Sequence, residues 1–257
     1  MSTQLIISDI DGCLSPEASI AWDMTAFDAF LARVRPAQTG NSPLAPFTLC
    51  TGRPQPYVEV LAKLLDIRAP IICENGAVIY SLHDNWSRYG PGVTEEKIAG
   101  LRAIRGFLDG AVLRAHPGAL YQYGKEAMLS VFSADPAILP PIADEITAFV
   151  AREGLAPPVI NTSVHYLNIS MAGVNKGTAL HWLLDELGMA GAQAAGIGDT
   201  IGDIPLREAV GWFACPANAD PALKERADYV SAENDIRGLV DILDQPACKG
   251  GSNRLRP

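Results

Sequence analysis

The sequence offers no cysteine pairing to build on. Five cysteines, Cys13, Cys50, Cys73, Cys215 and Cys248, are an odd number at wide separations, with no CxxC and no Cys/His zinc spacing. A disulfide scaffold and a zinc module are thereby excluded, and the thiols read as reduced. Basic residues are scarce too: 20 Lys and Arg face 29 Asp and Glu, for a formal net charge of −9. Nucleic acids and anionic membranes are held by clustered Lys and Arg; no such cluster occurs, so no nucleic acid and no membrane is expected as a partner. Long apolar runs are missing. The opening MSTQLIISDIDG has no basic leader region and only a brief apolar stretch, which fits neither a signal peptide nor a membrane span and predicts a cytoplasmic location. Glycine and proline, at 23 and 19 residues, follow no period, which excludes collagen-like chains.

What is present is ample core material. Hydrophobic residues make up 48% of 257 and charged residues 19%, at a length where one core begins to give way to two. The first apolar run, at 5–7 and extending to Ile10, is short, β-branched and unalternating, as expected of a strand buried on both faces of a parallel sheet. Residues 24–34 set Phe27, Phe30, Leu31 and Val34 at helical spacing, and the Pro-, Gly- and Asn-rich stretch 36–46 is expected to end that helix. A strand at 47–50, a helix at 57–65 and a strand at 71–73 continue the alternation of a parallel sheet.

From about residue 83 the texture changes. A helix at 95–108, strand-like runs at 111–115, 120–123 and 128–132, a helix at 140–153 and runs at 158–162 and 166–171 predict an inserted α+β domain over 83–171. The parallel pattern then resumes with a helix at 176–187, a strand at 194–197, a helix after Asp203, a strand at 211–214 and a C-terminal helix. Residues 1–82 and 172–257 are therefore expected to share one sheet. The polar tail from Lys249 is expected to fray.

Four elements carry chemistry. Asp9 and Asp11 stand two apart where the first strand runs out, so both carboxylates can enter the crevice at the carboxyl end of the sheet. Thr51, Gly52 and Arg53 follow another apolar strand, where a hydroxyl, backbone N–H groups and a helix start can hold phosphate. Lys176 opens an amphipathic helix, from which an ammonium can offset charge on a phosphoryl group and a carboxylate. Asp199 and Asp203 in GDTIGD supply hard oxygen ligands to a divalent cation. Taken singly these are turn formers or surface groups; together, in this order, they are specific.

In that order DIDGCL (9–14), CTGR (50–53), NKG (175–177) and GDTIGD (198–203) resemble the four motifs of the haloacid dehalogenase superfamily, specifically its aspartate-nucleophile phosphatases. ENGAVI (74–79) and GVNKG (173–177), on either side of the insertion, resemble the Cof-type subfamily with a C2 cap, which is populated by sugar phosphatases. The resemblance implies an α/β fold: a Rossmann-like doubly wound parallel-sheet core, with the insertion as cap. It implies a Mg2+-dependent phosphatase acting on a small phosphate ester, with a sugar phosphate as the favoured class. Asp9 would attack phosphorus, Asp11 would act as general acid and base, Thr51 would bind the phosphoryl group with Gly52 and Arg53 beside it, and Lys176 would steady the nucleophile. Asp9, Asp11, Asp199 and Asp203 would hold the metal, Asp11 through its backbone carbonyl. Two residues depart from the pattern: Gly202 stands where Asn is usual, and Cys13 reads as a buried inert thiol.

The resemblance places specificity in the cap. Arg114, His116, Tyr121, Tyr123, Lys125, His165, Tyr166 and Asn168 lie on or beside predicted cap strands, with His165 and Asn168 favoured for their closeness to the return into the core. Glu74 and Asn75 form a strand-end turn, contact substrate, or both. A dehalogenase has no need of Asp11, whereas a phosphomutase uses the same four motifs, and a binding module that lost turnover is a further alternative. The sequence leaves oligomeric state open.

Overall fold

β1 (Leu5–Ser8) is buried along its whole length, as an unalternating apolar run must be. The computed structural model, which describes residues 2–17, 21–162 and 165–250, continues with α1 (Met24–Gln38), β2 (Phe47–Leu49), α2 (Gln55–Leu65), β3 (Ile71–Cys73), β4 (Val78–Ser81) and β5 (Trp86–Tyr89). A separate compact unit, Tyr89–Val174, holds α3 (Glu95–Phe107), α4 (Leu113–Ala115), β6 (Ala119–Tyr121), β7 (Leu129–Ser133), α5 (Leu139–Glu153), β8 (Val159–Thr162) and β9 (Tyr166–Ser170). The first unit resumes at Asn175 with α6 (Lys176–Glu186), β10 (Ala194–Ile197), α7 (Ile204–Ala209), β11 (Trp212–Cys215), α8 (Pro221–Lys224), β12 (Tyr229–Val230) and α9 (Asp235–Ile242).

The first unit is built on a five-stranded parallel sheet in the order β12-β11-β10-β1-β2. β1 lies between β2, its sequence neighbour, and β10, which arrives only after the intervening unit; Leu5 aligns with Ala194 and Ile6 with Phe47. The chain thus leaves β1 to one side and returns on the other, and α/β proteins open their crevice at such a reversal, beyond the carboxyl ends of the strands. Helices need an apolar stripe to cover the sheet: α1 lays Phe27, Phe30 and Val34 inward, with Phe30 edge-on to Phe47 at 5.3 Å between ring centroids.

β3 joins this sheet through a single parallel bridge, Cys50 to Ile72, and otherwise pairs antiparallel with β4. The reversal between them is made at Glu74, Asn75 and Gly76, whose φ values of 50°, 54° and 101° are all left-handed, so the strand-end turn expected at Glu74 and Asn75 is present. After β4 the chain turns again, with the Ser81 hydroxyl donating to Asp84 Oδ2 at 2.7 Å, and returns as β5 beside β4. The units therefore divide in sequence at 88/89 and 174/175, where the sequence suggested 83 and 171.

Within the second unit, β6-β7-β9-β8 form an antiparallel sheet. Leu129, Val131, Leu167 and Ile169 are buried, as are Ile142, Ile146 and Val150 of α5, which packs on β8 and β9.

Three expectations are corrected. Residues 111–115 are helical rather than extended: a π-helical turn, Leu108–Val112, runs into α4. Leu108 and Val112 are both fully buried, which is helical spacing, and Ala, Leu and Arg favour a helix over a strand. α1 does not stop at Pro36, because a proline in the last turn removes only one N–H and its fixed φ suits a helix; Gln38 then donates to Phe47 O at 2.9 Å and anchors the helix end to β2. Lys249 and Gly250 do not fray: they bridge to Leu44 and Thr3. Residues 251–257, the rest of the tail, lie outside the described residues. No described helix is long and apolar enough to cross a membrane.

Candidate active site

Asp9 directly follows β1, and its N–H donates to Ile197 O at 2.9 Å, extending the pairing with β10 one residue past the strand. Asp9 Oδ1 accepts from the N–H of Ile10 at 2.7 Å, while Oδ2 accepts from Lys176 Nζ at 2.5 Å. Lys176 also donates to Asp203 Oδ1 at 2.6 Å. It is the first residue of α6, placed by a reciprocal cap: Asn175 Oδ1 accepts from Thr178 N–H at 2.9 Å and Thr178 Oγ1 from Asn175 N–H at 3.1 Å. Gly177 lets α6 close on α7, since a Cβ there would lie 2.6 Å from Pro205 O. Asp203 Oδ2 in turn accepts from the N–H groups of Asp199 and Thr200 at 3.1 and 3.2 Å. One ammonium thus ties the end of β1 to the loop after β10.

The carboxylates of Asp9, Asp199 and Asp203 are all buried, and one oxygen from each lies within 4.8 Å of the others. Burial pushes Asp9 up to about 7, against the pull of Lys176 and with Asp203 and Asp11 adding to the rise. Asp199 is pushed up to about 9 by burial and by Asp9 and Asp203. Burial works against the charge on Lys176, but Asp203 and Asp9 outweigh it and hold the ammonium well above its ordinary range. Three acids share one lysine, so two carboxyls can ionise only if another cation joins them, and Asp199 Oδ1 is buried with no hydrogen-bond partner. A hard divalent cation meets both needs, so these residues fit the expected Mg2+.

Thr51, Gly52, Arg53 and Asn75 form a second wall. Thr51 is fully buried and its Oγ1 accepts from Arg53 N–H at 3.1 Å, which leaves its own O–H to donate. Asn75 N–H donates to Thr51 O at 2.9 Å, and a Cβ on Gly52 would stand 3.1 Å from Asn75 Oδ1. Arg53 is turned to Asp11: Nε reaches Oδ2 at 2.7 Å and Nη2 reaches Oδ1 at 2.6 Å. The Asp11 carboxylate is thus paired with Arg53 and is not one of the acidic trio.

His165 and Asn168 belong to the second unit. His165 Nδ1 is 3.0 Å from Ser133 O, and Asn168 Oδ1 accepts from the buried Ser130 hydroxyl, which itself accepts from Lys125. His116 pairs with Glu145 at 2.7 Å, and Arg105 stacks on Tyr121 at 3.5 Å from the ring centroid. Cys13 is buried, and burial together with Asp199 pushes its thiol up, so it is inert.

Two residues escaped the sequence reading. Gly12 has φ +72° and a Cβ there would lie 1.9 Å from Asp199 Oδ2, so the turn needs glycine twice over. Asn218 donates to Gly12 O at 2.8 Å and accepts from Asp235 N–H at 2.7 Å, bracing that turn. Its place just beyond β11, at the same end of the sheet, was the available signal.

A family model described as haloacid dehalogenase-like hydrolase matches residues 6–99 and 121–243. A phosphoglycolate phosphatase of Archaeoglobus fulgidus is 29% identical over 93% of this chain and 94% of its own length. One from Halorubrum lacusprofundi is 30% identical over 77% and 82%. Among solved structures, a haloacid dehalogenase-like hydrolase of Bacteroides thetaiotaomicron superposes with a TM-score of 0.71 at 18% identity, covering 95% of this chain and 99% of that one. The sucrose-phosphatase of Synechocystis, solved with sucrose and phosphate, gives 0.64 at 20% identity, covering 95% and 97%.

Proposed function

The chain belongs to the haloacid dehalogenase-like hydrolases, as a phosphoric monoester hydrolase, and we propose that it is Mg2+-dependent and frees phosphate from a small phosphorylated metabolite through an aspartyl-phosphate on Asp9. The observation that carries this reading is the Lys176 bridge between Asp9 and Asp203, beside Asp199 and at the sheet reversal.

In this reading Asp9 attacks phosphorus in line with the leaving oxygen, and Lys176 keeps the nucleophile ionised and aimed. Asp11 gives a proton to the departing alkoxide and then takes one from the water that cleaves the acyl phosphate. Thr51 O–H and the backbone around Gly52 hold the phosphoryl oxygens, with Asn75 bracing that loop. Asp9, Asp199 and Asp203, with the Asp11 carbonyl, would hold Mg2+, which when bound supplies charge neutralisation for the transferring group.

For the leaving group, a phosphorylated hydroxy acid such as phosphoglycolate is favoured over the sugar phosphate suggested by subfamily. The phosphoglycolate phosphatases share the larger identity over nearly the whole chain, whereas the sucrose-phosphatase likeness is one of fold. The Tyr89–Val174 unit, with His165 and Asn168, is assigned to leaving-group choice.

Phosphate release is measured from phosphoglycolate, sugar phosphates and a sugar 1-phosphate, with and without Mg2+, for wild type and Asp9→Asn. Release that needs Mg2+ and vanishes in Asp9→Asn supports the reading. Conversion of the sugar 1-phosphate to its isomer without free phosphate would replace it with a mutase, and unimpaired Asp9→Asn would sink the mechanism.

A further inference from the structure

Resting on the reading of Asp11 as acid and base, we infer that Arg53 is a positioning residue for Asp11. A guanidinium presents its donors as a rigid planar fork, and here one edge of it is committed to Asp11: Nε and Nη2 take one Asp11 oxygen each at 2.7 and 2.6 Å. The arginine is itself pinned. Its guanidinium lies 5.1 Å from the centroid of the Tyr57 ring, its N–H donates to Thr51 Oγ1 at 3.1 Å, and its carbonyl accepts from Glu74 N–H at 3.1 Å.

Asp11 needs such a holder. Lys176, the ammonium of the acidic trio, is taken by Asp9 and Asp203, and the Asp11 side chain keeps about a quarter of its surface exposed, at 25%, against 11% for Asp9. A carboxylate that must meet first a leaving oxygen and then a water has to be fixed in plane. Two fork contacts fix that plane, and each carboxylate oxygen keeps a second lone-pair direction for the reacting group.

The test uses aryl phosphates of graded leaving-group basicity, from p-nitrophenyl to phenyl phosphate, with kcat/KM reading the steps up to leaving-group departure. A p-nitrophenolate departs without a proton; a more basic leaving group needs one. Arg53→Ala is expected to lose roughly 10²-fold on the basic esters and little on p-nitrophenyl phosphate. The dependence on leaving-group basicity therefore steepens, as in Asp11→Asn. Arg53→Lys restores the charge without the fork and stays steep, and Arg53→Ala adds nothing further in the Asp11→Asn background. An equal loss on every ester, or a wild-type dependence in Arg53→Lys, would overturn the inference. A steep Asp11→Asn beside an unaltered Arg53→Ala overturns this inference alone, whereas an unaltered Asp11→Asn overturns the acid–base reading beneath it.

Discussion

Replacing a proposed metal ligand should stabilise the protein when metal is withheld. Asp199 has an ordinary carboxyl value of 3.8 and is pushed up to about 9 in the fold. Between about pH 5 and pH 8 the folded chain therefore holds a proton that the unfolded chain has lost, and stability falls as pH rises, by about 1.4 kcal/mol per pH unit for that one proton. Over about three pH units the loss is on the order of 4 kcal/mol, or roughly 10 °C in Tm for a chain of this size. An asparagine at this position has no carboxyl group to titrate. In a chelator, Asp199→Asn should hold its Tm across this range relative to wild type, whose melting point slides away from it as the buffer becomes alkaline. Mg2+ should reverse the wild-type loss, by about 2.7 kcal/mol at one hundred times its Kd, and leave the variant unmoved. The assay is a set of melting curves for both proteins at matched pH with chelator or magnesium. Parallel pH curves for the two proteins in chelator would refute the claim that Asp199 is buried among uncompensated acids.

Lys176→Met leaves Asp9 and Asp203 without their shared donor, and kcat should fall on the order of 10²-fold or more while KM changes little, as steady-state kinetics will show. Gly12→Ala drives a methyl into Asp199 at a left-handed φ; a stability loss of about 1–3 kcal/mol by denaturant titration and a weakened Mg2+ requirement curve are expected. Gly202→Asn sets its Cβ 3.3 Å from Thr200 Oγ1, a close contact that the hydroxyl eases by moving a few tenths of an ångström, and should tighten the Mg2+ dependence of activity several-fold, since the amide restores hydrogen bonds that glycine lacks. An unchanged Mg2+ dependence would show that the loop needs no amide there.

The core was legible because its signals are local. Unalternating runs at β1 and β10, each closed by a Gly and Asp turn, fit strands covered on both faces, and Asp9, Thr51 and Asp199 fall just beyond such runs. The acidic trio with Lys176 follows from that placement. The Arg53–Asp11 fork was out of reach, because it depends on a side-chain direction set across two strand ends. Residues 111–115 misled because a five-residue segment, AVLRA, has no length to show its period; Leu108, four before Val112, was the decisive neighbour. Gly12 and Asn218 were missed since their roles are steric and bracing, and neither leaves a mark on hydrophobic pattern.

The pairing of β1 with β10 also bears on how the protein comes into being. Leu5 is made well before Ala194, its neighbour in the sheet, so throughout the synthesis of the segment between them β1 has one flank uncovered. Until the region from Lys176 to Asp203 emerges, Asp9 has neither its ammonium nor its fellow acids, and the proposed metal site is incomplete. Such sequence-distant pairing is slow to form and leaves an adhesive edge in the interim. A nascent chain halted before Ala194 is thus a candidate for chaperone retention, because the same late segment closes the sheet and completes the acidic cluster around Lys176.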